Sequence, residues 1–387
     1  MKKIVAMAMA AMMAVSMTAC GSGNDTTTTA APGTTAAEAT TAAEGTTAAE
    51  ATTAAGATTA AAGTTAAGGA AATDYTFDLA NVNEQAWTLG TDSVEDAVTH
   101  LFAKEFERLL EEYSEGKIDL EVYPNAQIGN DKSLLESVKA QDGGANFLVQ
   151  TTAPEVAFMP KLAVFDIPCA FATIDEFRAA IDNQAFMDQV DAVYNEGGYK
   201  LLGFADQGFR VMTANKEIKT IDDFSGIKIR TMDNKYHMAF WTAIGANPTP
   251  MTFSEVYTSL QTKALDAQEN PYEVVAGSKF YEVQSHVINT NHVPHTLALI
   301  TGTALWDTLN EDEQNLVMKA ASEAKVYARQ QADDRVDQRV EVITGGGATI
   351  VDLSEDLRQQ MIEKSQGVYE EIKGVVGDDL YNAYLGK

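Results

Sequence analysis

The sequence predicts an α/β fold with mainly parallel sheets and enough chain for two lobes. Three observations carry this. From about residue 74 onward, segments with helical spacing alternate with short segments of strand spacing. From Glu311 to about residue 343 one helical pattern runs without Gly or Pro. Everything before residue 74 differs in composition, which sets the folded region apart.

The first nineteen residues read as an export signal. Lys2 and Lys3 precede an apolar stretch, 4–15, that is shorter than the roughly 20 residues a membrane-crossing helix needs. Met17-Thr18-Ala19 places small residues before Cys20, as lipoprotein processing requires. Cys20 is therefore expected to become the mature N-terminus, carrying diacylglycerol and palmitate-type acyl chains, since one chain alone anchors weakly. Localisation at the outer face of the cytoplasmic membrane follows. The other cysteine, Cys169, then has no disulfide partner in the chain, and its setting, Ile167-Pro168-Cys169-Ala170-Phe171, suits a buried, inert thiol.

Residues 20–73 form the expected linker. Positions 34–69 repeat TTAAEA-type hexapeptides without an aromatic or large aliphatic residue. Such a segment cannot bury enough apolar surface to offset the entropy of ordering. It is read as a spacer holding the folded part away from the membrane.

The folded elements follow in order. Val98, Leu101, Phe102, Phe106, Leu109 and Leu110 predict a helix over 97–113, closed by Gly116. Ile118, Leu120 and Val122 predict a strand over 117–123. A helix over 132–140 and a strand over 146–150 come next, then strands over 199–205 and 227–230. A helix over 234–244 stops at Gly245. Thr252-Phe253-Ser254-Glu255 has the spacing of a capping box opening a helix to about residue 263. The last long helix, from residue 311 to about 343, would be roughly 45 Å long and could span two lobes side by side.

The net charge is −28, which disfavours nucleic acid as a partner. Two arginines nevertheless interrupt apolar segments: Arg210 in Gly208-Phe209-Arg210-Val211-Met212, and Arg230 at the end of Ile227-Lys228-Ile229-Arg230. Ligands of α/β sheets bind beyond the carboxyl ends of strands, and a guanidinium placed there can fork onto a carboxylate. Distant acidic residues are screened over about 8 Å at physiological salt, so the overall charge does not exclude an anionic ligand, and on charge grounds alone a cationic solute is the alternative.

An enzyme is the main rival class. The chain has no Gly-x-Ser-x-Gly, His-Glu-x-x-His or Cys-x-x-Cys. His286, His292 and His295 lack the spacing and the accompanying ligands of a metal site, so neither a metal nor a cofactor is expected.

The motifs fall into an ordered set. Tyr123-Pro124-Asn125-Ala126-Gln127-Ile128-Gly129 and Asp166-Ile167-Pro168 lead to Gly208-Phe209-Arg210 and Ala214-Asn215-Lys216. Asp222-Asp223-Phe224-Ser225-Gly226-Ile227-Lys228-Ile229-Arg230, Trp241, Gly245-Ala246-Asn247-Pro248 and Asp266-Ala267-Gln268-Glu269-Asn270-Pro271 follow. In this order the chain resembles the solute-binding proteins of tripartite ATP-independent periplasmic (TRAP) transporters, the DctP family, from about Trp87 to its end.

The resemblance implies a two-lobed periplasmic-binding-protein-like α/β fold with a cleft and a long bridging helix. Lobe I would comprise 74–207 with about 296–335, and lobe II 208–295 with about 336–387. It implies capture rather than catalysis: Arg230 clamps a carboxylate, with Arg210 and Asn270 adding hydrogen bonds. Thr91, Asp92, Ser93 and Thr152 would face the cleft from the other lobe, while Phe171, Phe209 and Trp241 would pack the ligand's body. The implied partners are a small organic acid and the TRAP membrane subunits, with the bilayer reached through Cys20 and the protein a monomer. Lys263 and Ala267 stand where the family commonly has Gly. Asp92 would bring a negative charge to the cleft, suiting a ligand with an amine or hydroxyl beside its carboxylate.

Overall fold

A computed structural model of the chain describes residues 74–387. The signal segment, Cys20 and the hexapeptide linker lie outside the described residues.

Eleven strands occur among the described residues: β1 (Gln85–Gly90), β2 (Ile118–Tyr123), β3 (Phe147–Thr151), β4 (Tyr199–Phe209), β5 (Val211–Ala214), β6 (Lys228–Thr231), β7 (Asn247–Pro250), β8 (Ala267–Asn270), β9 (His286–Asn289), β10 (Pro294–Gly302) and β11 (Thr349–Asp352). They form two sheets, ordered β2-β1-β3-β10-β4 and β11-β9-β5-β8-β6-β7.

The sheets are mixed rather than mainly parallel. β2-β1-β3 is parallel, but β10 runs antiparallel to both β3 and β4, and β5 runs antiparallel to β8 and β9. The reason lies in the chain's path. It leaves the first sheet along β4, enters the second directly as β5, and returns from β9 into β10. Each crossing inserts a strand of reversed direction. β4 also extends four residues beyond the expected strand, because β10 pairs along nearly its whole length.

The first sheet is covered on one face by the helices Val98–Tyr113 and Glu311–Asp334. Phe102, Phe106 and Leu110 meet Leu316, Val317, Ala320 and Ala324 in one apolar cluster. Phe147 of β3 anchors that face, 5.1 Å from Trp87 and 5.5 Å from Phe106 between ring centroids. The other face carries the helices Asp131–Ala140 and Gln184–Gly197 and a cluster centred on Phe165, Phe186, Tyr194 and Tyr384. Gly302 ends β10 so close to the helix Asp131–Ala140 that a Cβ there would lie 2.2 Å from the Val138 carbonyl oxygen.

The second sheet has the helices Lys235–Ala243 and Glu355–Lys364 on one side, around Trp241, and Val256–Gln261, Tyr272–Gly277 and Val336–Gly345 on the other.

Three elements differ from expectation. The long helix breaks at Arg335 into Glu311–Asp334 and Val336–Gly345. The first part packs on the first sheet and the second on the second sheet, so the pair bridges both lobes. At the break Arg335 is drawn to Glu273 and Asp96. The Thr252 side chain makes no capping bond; a short 3₁₀ turn, Phe253–Glu255, precedes the helix. Finally, the helices Gln366–Val376 and Asp378–Tyr384 pack among the first-sheet elements, through Ile372, Leu380 and Tyr384, rather than with the rest of residues 336–387. Tyr384 fits there because Phe165, Phe171 and Phe186 form an aromatic socket, with centroids 5.0–5.6 Å from its ring.

Candidate ligand-binding cleft

Arg230 lies near the carboxyl end of β6 and is 3% exposed. Its Nε and Nη2 both donate to the Met251 carbonyl oxygen, at 2.9 and 2.5 Å, and the guanidinium lies 5.9 Å from the Phe253 ring centroid. These contacts fix the plane of the fork. Nη1 has no protein hydrogen-bond acceptor, and the guanidinium no ion pair, among the described residues. Burial brings the Arg230 pKa down to about 10, against the opposing pull of Glu269, Asp131 and Asp92, so the group stays cationic at neutral pH.

This guanidinium opens into a narrow pocket of about 60 Å³. Thr91, Asp92 and Ser93, after β1, and Gln150 and Thr151, at the end of β3, line it from the first sheet. Arg230, Met232, Phe253, Asn270 and Val274 line it from the second. An adjoining pocket continues past Asp131, Lys132, Pro154 and Met251. Strand ends of both sheets thus converge on one cleft.

Five expected residues stand together here: Arg230, Asn270, Thr91, Asp92 and Ser93. The Asn270 Nδ2 donates to Gln268 Oε1 at 2.7 Å, which orients the amide.

The others are placed elsewhere. Arg210, 1% exposed, sits at the crossing from β4 to β5, and its guanidinium is taken up by protein. Nε pairs with Glu269 Oε2, Nη2 meets Glu269 Oε1 at 2.8 Å and the Glu269 carbonyl oxygen at 2.6 Å, and Nη1 lies 2.5 Å from His295 Nδ1. Four of its five N–H groups are thereby taken by protein acceptors. Thr152 is buried one residue beyond the cleft-lining Thr151, its amide bonded to the Thr296 carbonyl. Phe171 belongs to the aromatic socket around Tyr384, and Phe209 packs against the same cluster. Trp241 is fully buried between Phe224, Phe240 and His292, because the helix Lys235–Ala243 turns it toward the sheet. These aromatics are core, the commoner fate of large apolar side chains.

Asp131, His295, Phe253 and Gln150 were not anticipated as cleft residues. Asp131 is the first residue of a helix capped by Asn130, immediately past the Gln127-Ile128-Gly129 motif; that helix start was the available signal. Burial raises the Asp131 carboxyl to about 8, the Asp92 charge adds to this, and Arg230 opposes it. Asp92 is also raised, chiefly by burial, with Arg230 opposing.

His295 starts β10 and borders the cleft. Burial and the Arg210 charge hold its pKa well below the usual range. The neutral ring accepts from Arg210 at Nδ1, which leaves its proton on Nε2. The three histidines do not converge: His292 Nε2 faces Glu269 at 3.0 Å, and His286 bonds Ser285 on the surface.

The family model described as bacterial extracellular solute-binding protein, family 7 (DctP) matches residues 89–374. The C4-dicarboxylate-binding periplasmic protein DctP of Rhodobacter capsulatus is 33% identical over 286 residues, covering 72% of this chain and 81% of its own. The 2,3-diketo-L-gulonate-binding periplasmic protein of Escherichia coli K12 is 29% identical over 277 residues, covering 71% and 83%. Among solved structures, a TRAP periplasmic solute-binding protein from Shewanella oneidensis with bound succinate superimposes with a TM-score of 0.74 at 27% identity, covering 79% of this chain and 99% of that one. The sugar acid binding protein of Advenella mimigardefordensis in complex with galactonate gives a TM-score of 0.75 at 25% identity, covering 79% and 98%.

Proposed function

The chain belongs to the bacterial extracellular solute-binding proteins of family 7, and from that premise we propose that it captures a small organic acid, with Arg230 clamping the carboxylate. The observation that carries this reading is the Arg230 fork itself. It is buried, oriented by the Met251 carbonyl, lines the cleft, and has Nη1 without a protein acceptor among the described residues. A carboxylate entering a closing cleft loses water and needs a counter-charge with fixed geometry, which this guanidinium supplies. Asn270 and the hydroxyls of Thr91 and Ser93 surround the same space and can complete the ligand's hydrogen bonds.

Closure of the lobes about the two crossings and the bridging helix pair would present a new surface to TRAP membrane subunits. The acid is delivered unchanged; the protein works as a monomer and turns nothing over. No helix among the described residues is long and apolar enough to cross a membrane. In this reading the lipid on Cys20 holds the protein outside the cytoplasm, and the Thr/Ala/Gly linker lets the clamp search near its transporter at raised effective concentration.

Calorimetry on Arg230→Ala tests the reading. Loss of the partner charge should weaken binding of the acid that co-purifies with the wild-type protein by well over tenfold, of order 2–5 kcal/mol. Unchanged affinity would overturn the clamp. Mass spectrometry of solute released by denaturation should find a carboxylic acid at about one per chain.

A further inference from the structure

The cleft carries more negative charge than a carboxylate clamp requires. Resting on the capture of a carboxylate by Arg230, we infer that the solute is zwitterionic: a small acid that also bears an ammonium group, seated against Asp92 and Asp131.

The placement of charge supports this. Arg230 faces the cleft from the second sheet, whereas Asp92 follows β1 and Asp131 opens the helix after β2, both from the first. The cleft therefore has a cationic wall and an acidic wall. Neither aspartate has an ion-pair partner among the described residues, and both border the same two pockets as the Arg230 guanidinium. Other cations nearby are committed. Lys132 pairs with Asp233, Arg210 with Glu269, and His295 is neutral.

Counting charge on closure ranks the ligand classes. With burial holding one proton on the aspartate pair, the pair and Arg230 balance. A zwitterion keeps the closed cleft neutral. A hydroxy acid leaves one uncompensated negative charge, and a dicarboxylate leaves two, with no free cation for its second carboxylate. The order is the same when both aspartates are ionised. Hydroxyl donors could satisfy the aspartates' hydrogen bonding but not their charge, and in a water-poor cleft charge dominates. Phe253, Met232, Val274 and Pro154 supply the apolar surface for a short carbon skeleton between the two walls.

The test is calorimetry on the full chain with matched probes: L-alanine against L-lactate, γ-aminobutyrate against 4-hydroxybutyrate, and succinate. At least one amino acid should bind tenfold or more tightly than its hydroxy isostere and than succinate. The double replacement Asp92→Asn with Asp131→Asn, which removes the pair's negative charge, should weaken that amino acid tenfold or more without weakening the hydroxy acid. Circular dichroism melts confirm folding, and Asp92→Glu, which keeps the charge, should retain the preference. A hydroxy acid or succinate binding more tightly than every amino acid overturns the inference, as does silence from the whole panel. Arg230→Ala separates the two readings. If it abolishes binding of whichever acid does bind, carboxylate capture stands even where the zwitterion fails; if it does not, both fall.

Discussion

Arg210 and Glu269 form a buried ion pair where the chain crosses between its two sheets: both side chains are at most 1% exposed, and Nη2 lies 2.8 Å from Oε1. Arg210 leaves β4 for β5, and its amide donates to the Val293 carbonyl on the returning crossing at 2.9 Å. Glu269 belongs to β8, and His292 on the returning crossing and His295 in β10 close the cluster. The pair ties both crossings to the second sheet. The second arginine of the region is thus held in a buried pair between the sheets, whereas the first lines the cleft without a carboxylate partner among the described residues.

Removing one partner should be costly. Glu269→Ala leaves a buried guanidinium uncompensated, and a loss of about 3–5 kcal/mol in urea unfolding is expected. The double replacement Arg210→Met with Glu269→Leu should cost less than the two single changes combined, because it leaves no orphaned charge. Additive losses would show that the pair is not acting as a unit.

His237 makes stability depend on pH. Burial opposes its charge, yet Asp166, 3.0 Å from Nε2, and Glu269 outweigh this and raise its pKa to about 9. The folded state thus holds the proton more tightly than the unfolded chain, where the value is near 6.5. The stabilisation is fully present below pH 6.5 and fades as pH rises through 9, by roughly 3 kcal/mol. Asp131, raised to about 8, contributes in the same direction. Chemical melts of wild type and His237→Gln at pH 6 and pH 9 isolate the histidine: their difference in stability should shrink at the higher pH.

Trp241 and Arg230 separate core from site. Trp241→Ala should destabilise by about 3–5 kcal/mol while leaving ligand affinity within about threefold in the folded protein. Arg230→Ala should do the reverse, removing affinity with a small change in melting. Calorimetry paired with thermal melts reads both, and a large affinity loss in Trp241→Ala would return that residue to the site.

Asp96 should influence closure. It precedes the helix Val98–Tyr113 of the first lobe and accepts from Arg335 and Arg339, which also grip Glu273 of the second. The Asp96 side chain is 64% exposed, so its share is small, of order 1 kcal/mol or less. Asp96→Ala should therefore weaken ligand binding only a few-fold. Small-angle scattering of the ligand-free variant should give a larger radius of gyration than the wild type. An unchanged radius with unchanged affinity would make the clasp incidental.

The helix 98–113, the strands around residues 120 and 229, and the position of Arg230 at a strand end were legible because each rests on local spacing. Two departures come from contacts distant in sequence. The break at Arg335 has no Gly or Pro to announce it; it reflects Glu273 and Asp96, far away in the chain. Tyr384 packs on the first lobe because Phe165, Phe171 and Phe186 form its socket, which no periodicity near the C-terminus encodes.

The sequence by itself determined the α/β alternation and the guanidinium at the end of β6, since strand period and strand ends are properties of neighbouring residues, whereas Asp92 in the cleft was implied only by the family resemblance. Only the tertiary structure decided between the two arginines. Both are buried in apolar strand surroundings, and what separates them is whether a carboxylate from another strand reaches the fork first. Glu269 reaches Arg210, while Met251 offers Arg230 only a carbonyl oxygen, so its charge has no carboxylate partner among the described residues.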